Sequence, residues 1–316
     1  METQKGKESL STNLTQQNVL NCADEHENCL TETMKIFTII ICCTFFISCN
    51  ELFDLEPKAE LPGKERRLPK DIVYSYECLK ADTNALSDKW AQADKLIGKV
   101  TTFNIEVTDA EQVAFGEQFM KESQKDKNFW IDSLSPLNGK LDSMMQNLLR
   151  KRADPTGITY KIYLLQDTAT VNAYTVGGKI FVTNAMINKC KNDDQLYAII
   201  GHEIGHNEKG HIKNTIKQMK ASKKFFGEWG DFFFAAKKML TGSFNQKNEL
   251  EADYFGLDLT WQLGYEVCAI NSFWNEMAKG EKRYTSLDFL RTHPYSDIRS
   301  ICIVNHLQTN FKVDCL

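Results

Sequence analysis

The sequence predicts an α+β domain that is mainly helical and contains a small β-sheet. Residues 71–151 have a mostly helical pattern. Two short runs rich in β-branched and aromatic residues, Tyr160–Leu165 and Lys179–Val182, then predict strands. An apolar helical pattern with strong N-terminal capping follows from Asn192. At 316 residues the chain can hold one good-sized domain with extensions.

Composition places the chain among globular proteins. Charged residues make up 25% of it and apolar residues 42%. The formal net charge is −4 and no sustained basic tract occurs, so we expect no nucleic-acid partner. There are six histidines in total, which makes the three between 202 and 211 an informative cluster.

Ten cysteines fall into two groups, one within the first 49 residues and one spread over the rest of the chain. The later group consists of Cys78, Cys190, Cys268, Cys302 and Cys315. No CxxC pair occurs, so a cysteine zinc ribbon or a thioredoxin-type site is not indicated. The odd number of later cysteines leaves at least one unpaired within the chain. A disulfide among Cys268, Cys302 and Cys315 is compatible with an oxidising compartment, but the sequence does not assign it.

The first 49 residues contain a predicted targeting segment. Residues 1–33 are polar and acidic, and we interpret them as disordered or as the product of an upstream start codon. From Met34 a short positive start precedes the apolar run Ile36–Ile47, so residues 34–49 have the pattern of a signal peptide. The run is shorter than the ~20 residues that a membrane span needs.

The end of that run, Phe46–Cys49, resembles a bacterial lipobox, in which the cysteine is lipidated and becomes the mature N-terminus. The resemblance implies a lipoprotein anchored through Cys49 in the bacterial cell envelope and facing the periplasm, with the outer membrane favoured over the inner one. A plain cleaved signal and an uncleaved anchor are the alternatives. Residues 50–70, with prolines among charges, predict a tether, and residues 71–316 the domain it carries.

The helical region before the strands has one clear amphipathic face, formed by Leu141, Met144, Met145, Leu148 and Leu149. We interpret Trp90 and Trp130 as packing anchors. Between the strands, Asn172–Gly178 predicts a turn. We expect the second strand, Lys179–Val182, to be a sheet edge beside a cleft, where it can bind an extended peptide. An ordinary hairpin without a ligand is the alternative.

Two histidines with a glutamate directly after the first, His202-Glu203-x-x-His206, lie on the helix predicted after Asn192. Positions four apart share a helix face, so both imidazoles can reach one metal ion. Glu203 lies beside that face, where it suits the general base of a zinc hydrolase better than a ligand. The alternative is a pair of ordinary core histidines beside a chance glutamate.

Residues 212–244 are first basic and then aromatic. The aromatic residues include Phe225, Phe226, Trp229, Phe232, Phe233 and Phe234. A helical pair packed on the domain is the simpler interpretation. A lid over the cleft, or a face that contacts lipid, is the alternative.

A second, acidic helix is predicted from about Asn245, and it carries Glu249 and Asp253 four apart on one face. A catalytic zinc site usually has three protein ligands and a water. One of these carboxylates can therefore ligate while the other orients a ligand histidine. The small residues Ala252 and Gly256 allow this helix to approach the first one closely. A solvated acidic helix start is the alternative.

His-Glu-x-x-His followed by Glu249-x-x-Ala252-Asp253 resembles the M48 family of zinc metallopeptidases, of the gluzincin type. Further segments match that family in order across about residues 140–305: Asn172–Tyr174 with Gly177–Val182, Leu263–Tyr265, and Thr292–Pro294 with Arg299. The chain departs from the family at Gln246, where arginine is usual, and at Val176, where proline is frequent.

The resemblance implies a zincin-like metallopeptidase fold with one zinc ion per chain. It assigns the ligands to His202, His206 and Glu249, the general base to Glu203, a partner of the ligands to Asp253, an oxyanion-stabilising role to His293, and a brace for the acidic helix to Arg299. His211 lies five residues past His206 and therefore on a different helix face, so we interpret it as structural.

The resemblance further implies a zinc-dependent endopeptidase whose polypeptide substrates are misfolded or misassembled envelope proteins. The alternative is a non-catalytic, membrane-tethered lipoprotein that binds envelope proteins and carries a structural zinc or none. A structural site is closed by four protein ligands, whereas a catalytic one leaves a position for water. A membrane-embedded relative is disfavoured, because no other apolar run approaches 20 residues.

Overall fold

The computed structural model describes residues 63–81, 105–221, 244–281, 293 and 296–315. The expectations for the signal peptide, the lipobox with Cys49, Trp90, the aromatic segment 225–234, Thr292 and Pro294 lie outside these residues. All described residues belong to one unit that spans Pro57–Leu316.

The described chain is mostly helical, with one small sheet, which confirms the predicted α+β class. In chain order its elements are a 3₁₀ turn at Glu77–Ala81, α1 Asp109–Ser123, α2 Leu137–Leu149, β1 Lys161–Leu165, β2 Ala173–Val176, β3 Lys179–Thr183, α3 Asn184–Lys189, α4 Asp193–Glu208, α5 His211–Ala221, α6 Gln246–Gln262, α7 Cys268–Glu281 and α8 Ser296–Phe311.

The sheet has the strand order β1-β3-β2, with β1 parallel and β2 antiparallel to β3. Two sequence-based expectations are therefore wrong. Most of the predicted turn at Asn172–Gly178 is strand β2, and only Gly177 and Gly178 form the turn, with φ of 55° and 84°. A two-residue hairpin loop of type I′ needs positive φ at both positions, which glycine adopts at little cost.

The second error concerns the sheet edge. The strand expected there, β3, is central and buried along its whole length. The outer strand on the hairpin side is β2, and it is this strand that borders the group of buried histidines described below. A strand buried on both faces has a continuous apolar run instead of an alternating pattern, but a run as short as Lys179–Val182 does not by itself distinguish a central strand from an edge strand.

The main core lies between α2, the sheet, α4, α7 and α8. The predicted apolar face of α2 is confirmed, because Leu141, Met144, Met145 and Leu148 are fully buried there. Trp130 is not a packing anchor, since 65% of its surface is exposed. The next residue, Ile131, forms an isolated antiparallel bridge with Leu165 at the end of β1. The indole ring of Trp130 faces solvent.

Helices α4 and α6 cross so closely that their backbones are in contact. A Cβ built on Gly201 would lie 2.9 Å from the Cα of Gly256, and one built on Gly205 would lie 2.9 Å from the Cα of Ala252. Such contacts are shorter than real Cβ atoms show, so only small residues fit at the crossing. The close approach predicted from Ala252 and Gly256 is confirmed.

Two disulfides join distant parts of the described chain. Cys268 pairs with Cys315, within the group of three considered from the sequence, whereas Cys302 pairs with Cys78. Cys190 is the free thiol of the described residues. Of the helices that the structure describes, none combines the length and the apolar content that crossing a bilayer requires.

Candidate active site

Helix α4 carries His202 and His206 into the interior. Asn192 caps its N-terminus by accepting a hydrogen bond from the Gln195 backbone N–H, and acidic residues fill the first turn. Nearly every residue from Gln195 to Asn207 is buried. The Nε2 atoms of His202 and His206 lie 2.9 Å apart. The predicted shared face is therefore present and points both nitrogens at one place.

Helix α6 brings Glu249 to the same place. Asn245 caps this helix by accepting from the Asn248 backbone N–H. Glu249 is completely buried, with Oε2 3.5 Å from the Nε2 of His202 and Oε1 3.5 Å from the Nε2 of His206. Burial acts to raise the Glu249 pKa, but His293 and the Arg299 guanidinium outweigh it and hold that pKa below its usual value.

These donor atoms fit a metal ion. Together with one nitrogen of His293 they lie within 4.8 Å of one another. Two ligands ~2.0–2.1 Å from a tetrahedral zinc ion lie about 3.3 Å from each other, close to the separations found here. Oε1 of Glu249 has no hydrogen-bond partner among the described residues. Two imidazoles and a carboxylate are also the donors that zinc takes in many catalytic sites.

His293 lies within the donor group, a position that goes beyond the oxyanion-stabilising role implied by the resemblance. Its Nδ1 lies 3.1 Å from the Nε2 of His202 and 3.1 Å from Oε2 of Glu249. Its Nε2 lies 3.3 Å from the Ala173 carbonyl oxygen of β2. His293 is 91 residues from His202 along the chain, so no local spacing could reveal this contact.

Asp253 and Arg299 lie directly behind the donor group. Asp253 Oδ1 accepts a hydrogen bond from Nδ1 of His202 at 2.9 Å. Arg299 donates to both oxygens of Asp253 at 2.7 Å and lies 2.8 Å from Oε2 of Glu249. Although burial acts to raise it, Arg299 lowers the Asp253 pKa to about 2. The guanidinium in turn stacks on Trp274, 3.6 Å from the ring centroid.

His211 contacts the second histidine of the motif. Its Nδ1 lies 3.0 Å from the Nδ1 of His206, and its Nε2 lies 3.4 Å from Oε2 of Glu251. The expectation that His211 lies on a different face from His206 holds only if one helix continues through both residues. In the structure α4 ends at Glu208, and Gly210, with φ of 74°, turns the chain so that α5 begins at His211.

Glu203 is the acidic group of the site that lacks hydrogen bonds. It is fully buried, and neither carboxylate oxygen has a hydrogen-bond partner among the described residues. The Nε2 of His293 lies 3.6 Å from the Oε1 of Glu203. Burial, assisted by Glu249, raises the Glu203 pKa to about 7. A carboxyl that titrates near neutral pH can both accept and return a proton.

Asn207, which sequence reasoning did not single out, connects α4 to the sheet. Its Oδ1 accepts from the side chain of Gln112 and from the backbone N–H of Gly178, both at 3.0 Å. Its Nδ2 donates to Oγ1 of Thr175 at 2.7 Å and to the carbonyl of Glu203 at 2.9 Å. All four hydrogen bonds available to an amide are made, so β2 is held at a fixed distance from the histidines.

The comparisons with known proteins agree with this geometry. The family model "Peptidase family M48" matches residues 135–303. Relatives include the mitochondrial metalloendopeptidase OMA1 of Schizosaccharomyces pombe, 30% identical over 45% of this chain and 45% of that protein. The metalloprotease LoiP of Escherichia coli is 24% identical over 75% of this chain and 92% of that one.

A third relative is the beta-barrel assembly-enhancing protease of Yersinia pestis, 23% identical over 60% of this chain and 42% of that protein. The chain thus spans less than half the length of two of these three relatives. The names of the relatives support the expectation of a metalloendopeptidase. The family model covers more than half of the 316 residues, including both helices that carry the buried donors, and the chain therefore belongs to peptidase family M48.

Proposed function

We propose that the protein is a zinc-dependent endopeptidase, with zinc held by His202, His206 and Glu249 and with Glu203 as general base. The observation that carries the proposal is the convergence of the two Nε2 atoms and the Glu249 carboxylate beside a buried glutamate without hydrogen bonds. A purely structural site has no need of such a glutamate.

A zinc ion in this position supplies Lewis acidity, which activates water and polarises a peptide carbonyl. Glu203 takes the proton from the attacking water on one of its carboxylate oxygens and returns it to the leaving amine. Asp253 keeps the proton of His202 on Nδ1, so Nε2 offers its lone pair. Arg299 holds Asp253 and Glu249 in their charged forms.

We assign His293 to stabilisation of the oxyanion that forms on the substrate carbonyl. Its position between Glu203 and β2 supports this role, because its Nε2 lies near both Glu203 and the Ala173 carbonyl. An extended peptide added along β2 would pass beside these groups, in the manner of strand addition to a sheet edge. The substrate then presents its backbone to the site, and the site needs no particular side chain.

One observation favours a second candidate function. His293 completes a set of four protein donors, and four protein ligands are typical of a closed, structural zinc site. In that case the protein would be a tethered envelope-binding lipoprotein without catalysis. The two candidates differ in the effect of removing the His293 imidazole, which should abolish zinc binding only at a four-ligand site.

We further propose that the substrates are misfolded or misassembled envelope proteins and that Cys49 carries a lipid anchor in the outer membrane. One relative is named for beta-barrel assembly, and the two disulfides suit an oxidising compartment. Mass spectrometry of the mature N-terminus tests the anchor. A lipidated Cys49 is expected, and an unmodified N-terminus at any other residue would contradict it.

The decisive experiment compares Glu203→Gln with the same substitution at Glu208, the last residue of the same helix, whose side chain is only 3% exposed and pairs with Arg152. Glu203→Gln should retain one zinc per chain and lose casein cleavage, whereas Glu208→Gln should cleave casein in proportion to its folded fraction. Chelator should stop cleavage by the wild type. Full cleavage by Glu203→Gln, or a wild-type protein without zinc, would refute the proposal.

His293→Asn separates the two candidates. For the three-ligand peptidase we expect zinc to remain bound while cleavage slows. Loss of zinc together with an inactive wild-type protein would instead establish the structural site.

A further inference from the structure

His206 is supported by a hydrogen-bonded pair, His211 and Glu251, that the sequence motif does not include. The Nδ1 atoms of His206 and His211 are 3.0 Å apart, and the Nε2 of His211 is 3.4 Å from Oε2 of Glu251. His206 is fully buried and His211 nearly so, while 28% of the Glu251 side chain is exposed. The chain of contacts therefore runs from the donor group outward to the surface of α6.

The contacts determine where the protons lie. The Nε2 of His206 faces the Nε2 of His202 at 2.9 Å, so it must offer a lone pair to bind a metal, and its own proton lies on Nδ1. That Nδ1–H then donates to Nδ1 of His211. His211 carries its proton on Nε2 and donates it to the Glu251 carboxylate. The opposite direction would place a proton on the Nε2 of His206, inside the donor group.

The surroundings hold this arrangement in place. Phe244 stacks on the outer side of His206, with ring centroids 4.1 Å apart. The turn at Gly210 is what allows His211 to reach back to the helix it follows.

We propose that His211 and Glu251 are positioning residues that fix the tautomer and ring orientation of His206 for metal binding. The inference rests on the proposed zinc site. Partners of this kind typically contribute 10–100-fold to metal affinity. Because Glu251 acts only through His211, its substitution should have no further effect once the His211 imidazole is gone.

The test measures the zinc affinity of the full chain by competition with a chromophoric chelator. His211→Phe, which keeps ring volume but removes both nitrogens, should bind zinc about 10–100-fold more weakly. Glu251→Gln should weaken binding less, and the double variant no more than His211→Phe alone. The visible spectrum of the Co²⁺-loaded protein should shift in both single variants, because the orientation of a ligand changes.

The matched control is His306→Phe. His306 is also a buried histidine that bonds an acidic residue of α6, Asp258, at 2.9 Å, but it does not face the donor group. The His306→Phe variant should be less stable than the wild type but should keep its zinc affinity and cobalt spectrum.

Unchanged zinc affinity in His211→Phe, or an additive effect of Glu251→Gln, would overturn the inference while leaving the zinc site intact. A wild-type protein that binds no zinc would overturn the proposed function as well. If His211→Phe does not fold, the partly exposed Glu251→Gln decides, and an unchanged affinity and spectrum in that variant contradict the inference.

Discussion

Helix α6 carries two aspartates, and each bonds a buried histidine at the same distance. Asp253 accepts from His202 at 2.9 Å, and Asp258 contacts His306 at 2.9 Å. The pairs differ in the second ring nitrogen. That of His202 points at other donors, whereas that of His306 contacts the side chain of Asn310 at 3.0 Å. An acid–histidine contact alone therefore does not indicate a metal site, and the direction of the remaining nitrogen does.

The two pairs also differ in charge compensation. Asp253 has the Arg299 guanidinium on both oxygens, and its pKa is lowered to about 2. Asp258 instead accepts from the hydroxyl of Tyr74 at 2.8 Å, and burial raises its pKa. A buried carboxylate that must stay ionised beside a metal needs a compensating cation, whereas one that only joins chain segments can do with neutral partners.

The largest difference between the two pairs should appear when the histidine of each pair is replaced. His202→Gln should lose zinc and slow peptide hydrolysis by at least about 1,000-fold, roughly 4 kcal/mol of barrier. His306→Gln should keep zinc and rate and lose about 1–3 kcal/mol of unfolding free energy, since the buried Asp258 keeps its hydrogen bond from Tyr74 but loses the one from His306. Zinc content, cleavage rate and urea unfolding give the three readouts. A folded His306→Gln variant that binds no zinc would contradict the distinction between the two aspartate–histidine pairs.

The next effect concerns the disulfide beside the Asp258 pair. Cys302 lies in the cluster that contains Tyr254, which stacks on His306. Replacing Cys78 and Cys302 by alanine should lower the unfolding free energy by about 2–4 kcal/mol and leave zinc affinity unchanged. The control is the pair Cys268 and Cys315, which closes a loop of 47 rather than 224 residues and should cost less. Calorimetry and zinc titration measure both; a loss of zinc affinity would show that the two regions are coupled.

A smaller effect is expected from the aspartates themselves. Asp253→Asn should weaken zinc binding about 10–100-fold, because the amide can no longer keep the proton of His202 on Nδ1 as strongly. Asp258→Asn should leave the affinity unchanged. Chelator competition measures the zinc affinity of both variants. Equal affinities would contradict the conclusion that Asp253, unlike Asp258, supports metal binding.

The smallest effect is the pH dependence of the zinc-free protein. The lowered Asp253 pKa, about 2 against a usual 3.8, contributes stability that is present above 3.8 and lost as pH falls toward 2. The raised Asp258 pKa has the opposite sign, because its ionisation becomes a cost as pH rises past 3.8.

Urea unfolding between about pH 3 and 5 tests these signs. The advantage of the wild type over Asp253→Asn should grow with pH, and its advantage over Asp258→Asn should shrink. The same sign for both variants would contradict the assignment of the two environments.

The parts of the site that local spacing encodes were predictable from the sequence. His202, Glu203 and His206 lie within one helix turn, and their shared face follows from the period of the helix. The spacing of Glu249 and Asp253 suggested that one of them ligates, but only the family resemblance indicated which one, and only the resemblance brought in His293 and Arg299. Those residues come from other helices and a distant segment, and no local pattern specifies which helices meet.

The parts that were missed depend on where an element ends. His211 returns to His206 because α4 stops at Glu208, and helix ends are poorly defined by propensity. The order of the sheet depends on which strand is covered on both faces, which the short apolar runs do not reveal. Asn207 was overlooked because a single amide carries no motif, and its importance arises from the four groups that surround it.

The backbone-distance crossing of α4 and α6 leaves the spacing of the histidines and Glu249 without any room for adjustment. A side chain larger than hydrogen at Gly201 or Gly256 would push apart two surfaces that already touch. In a library of random variants, these two positions should therefore accept almost no substitution, although a glycine contributes no side-chain group to the site. Efforts to fit this site to a larger ion will have to alter the donors themselves, because the helix crossing that spaces them cannot be widened gradually.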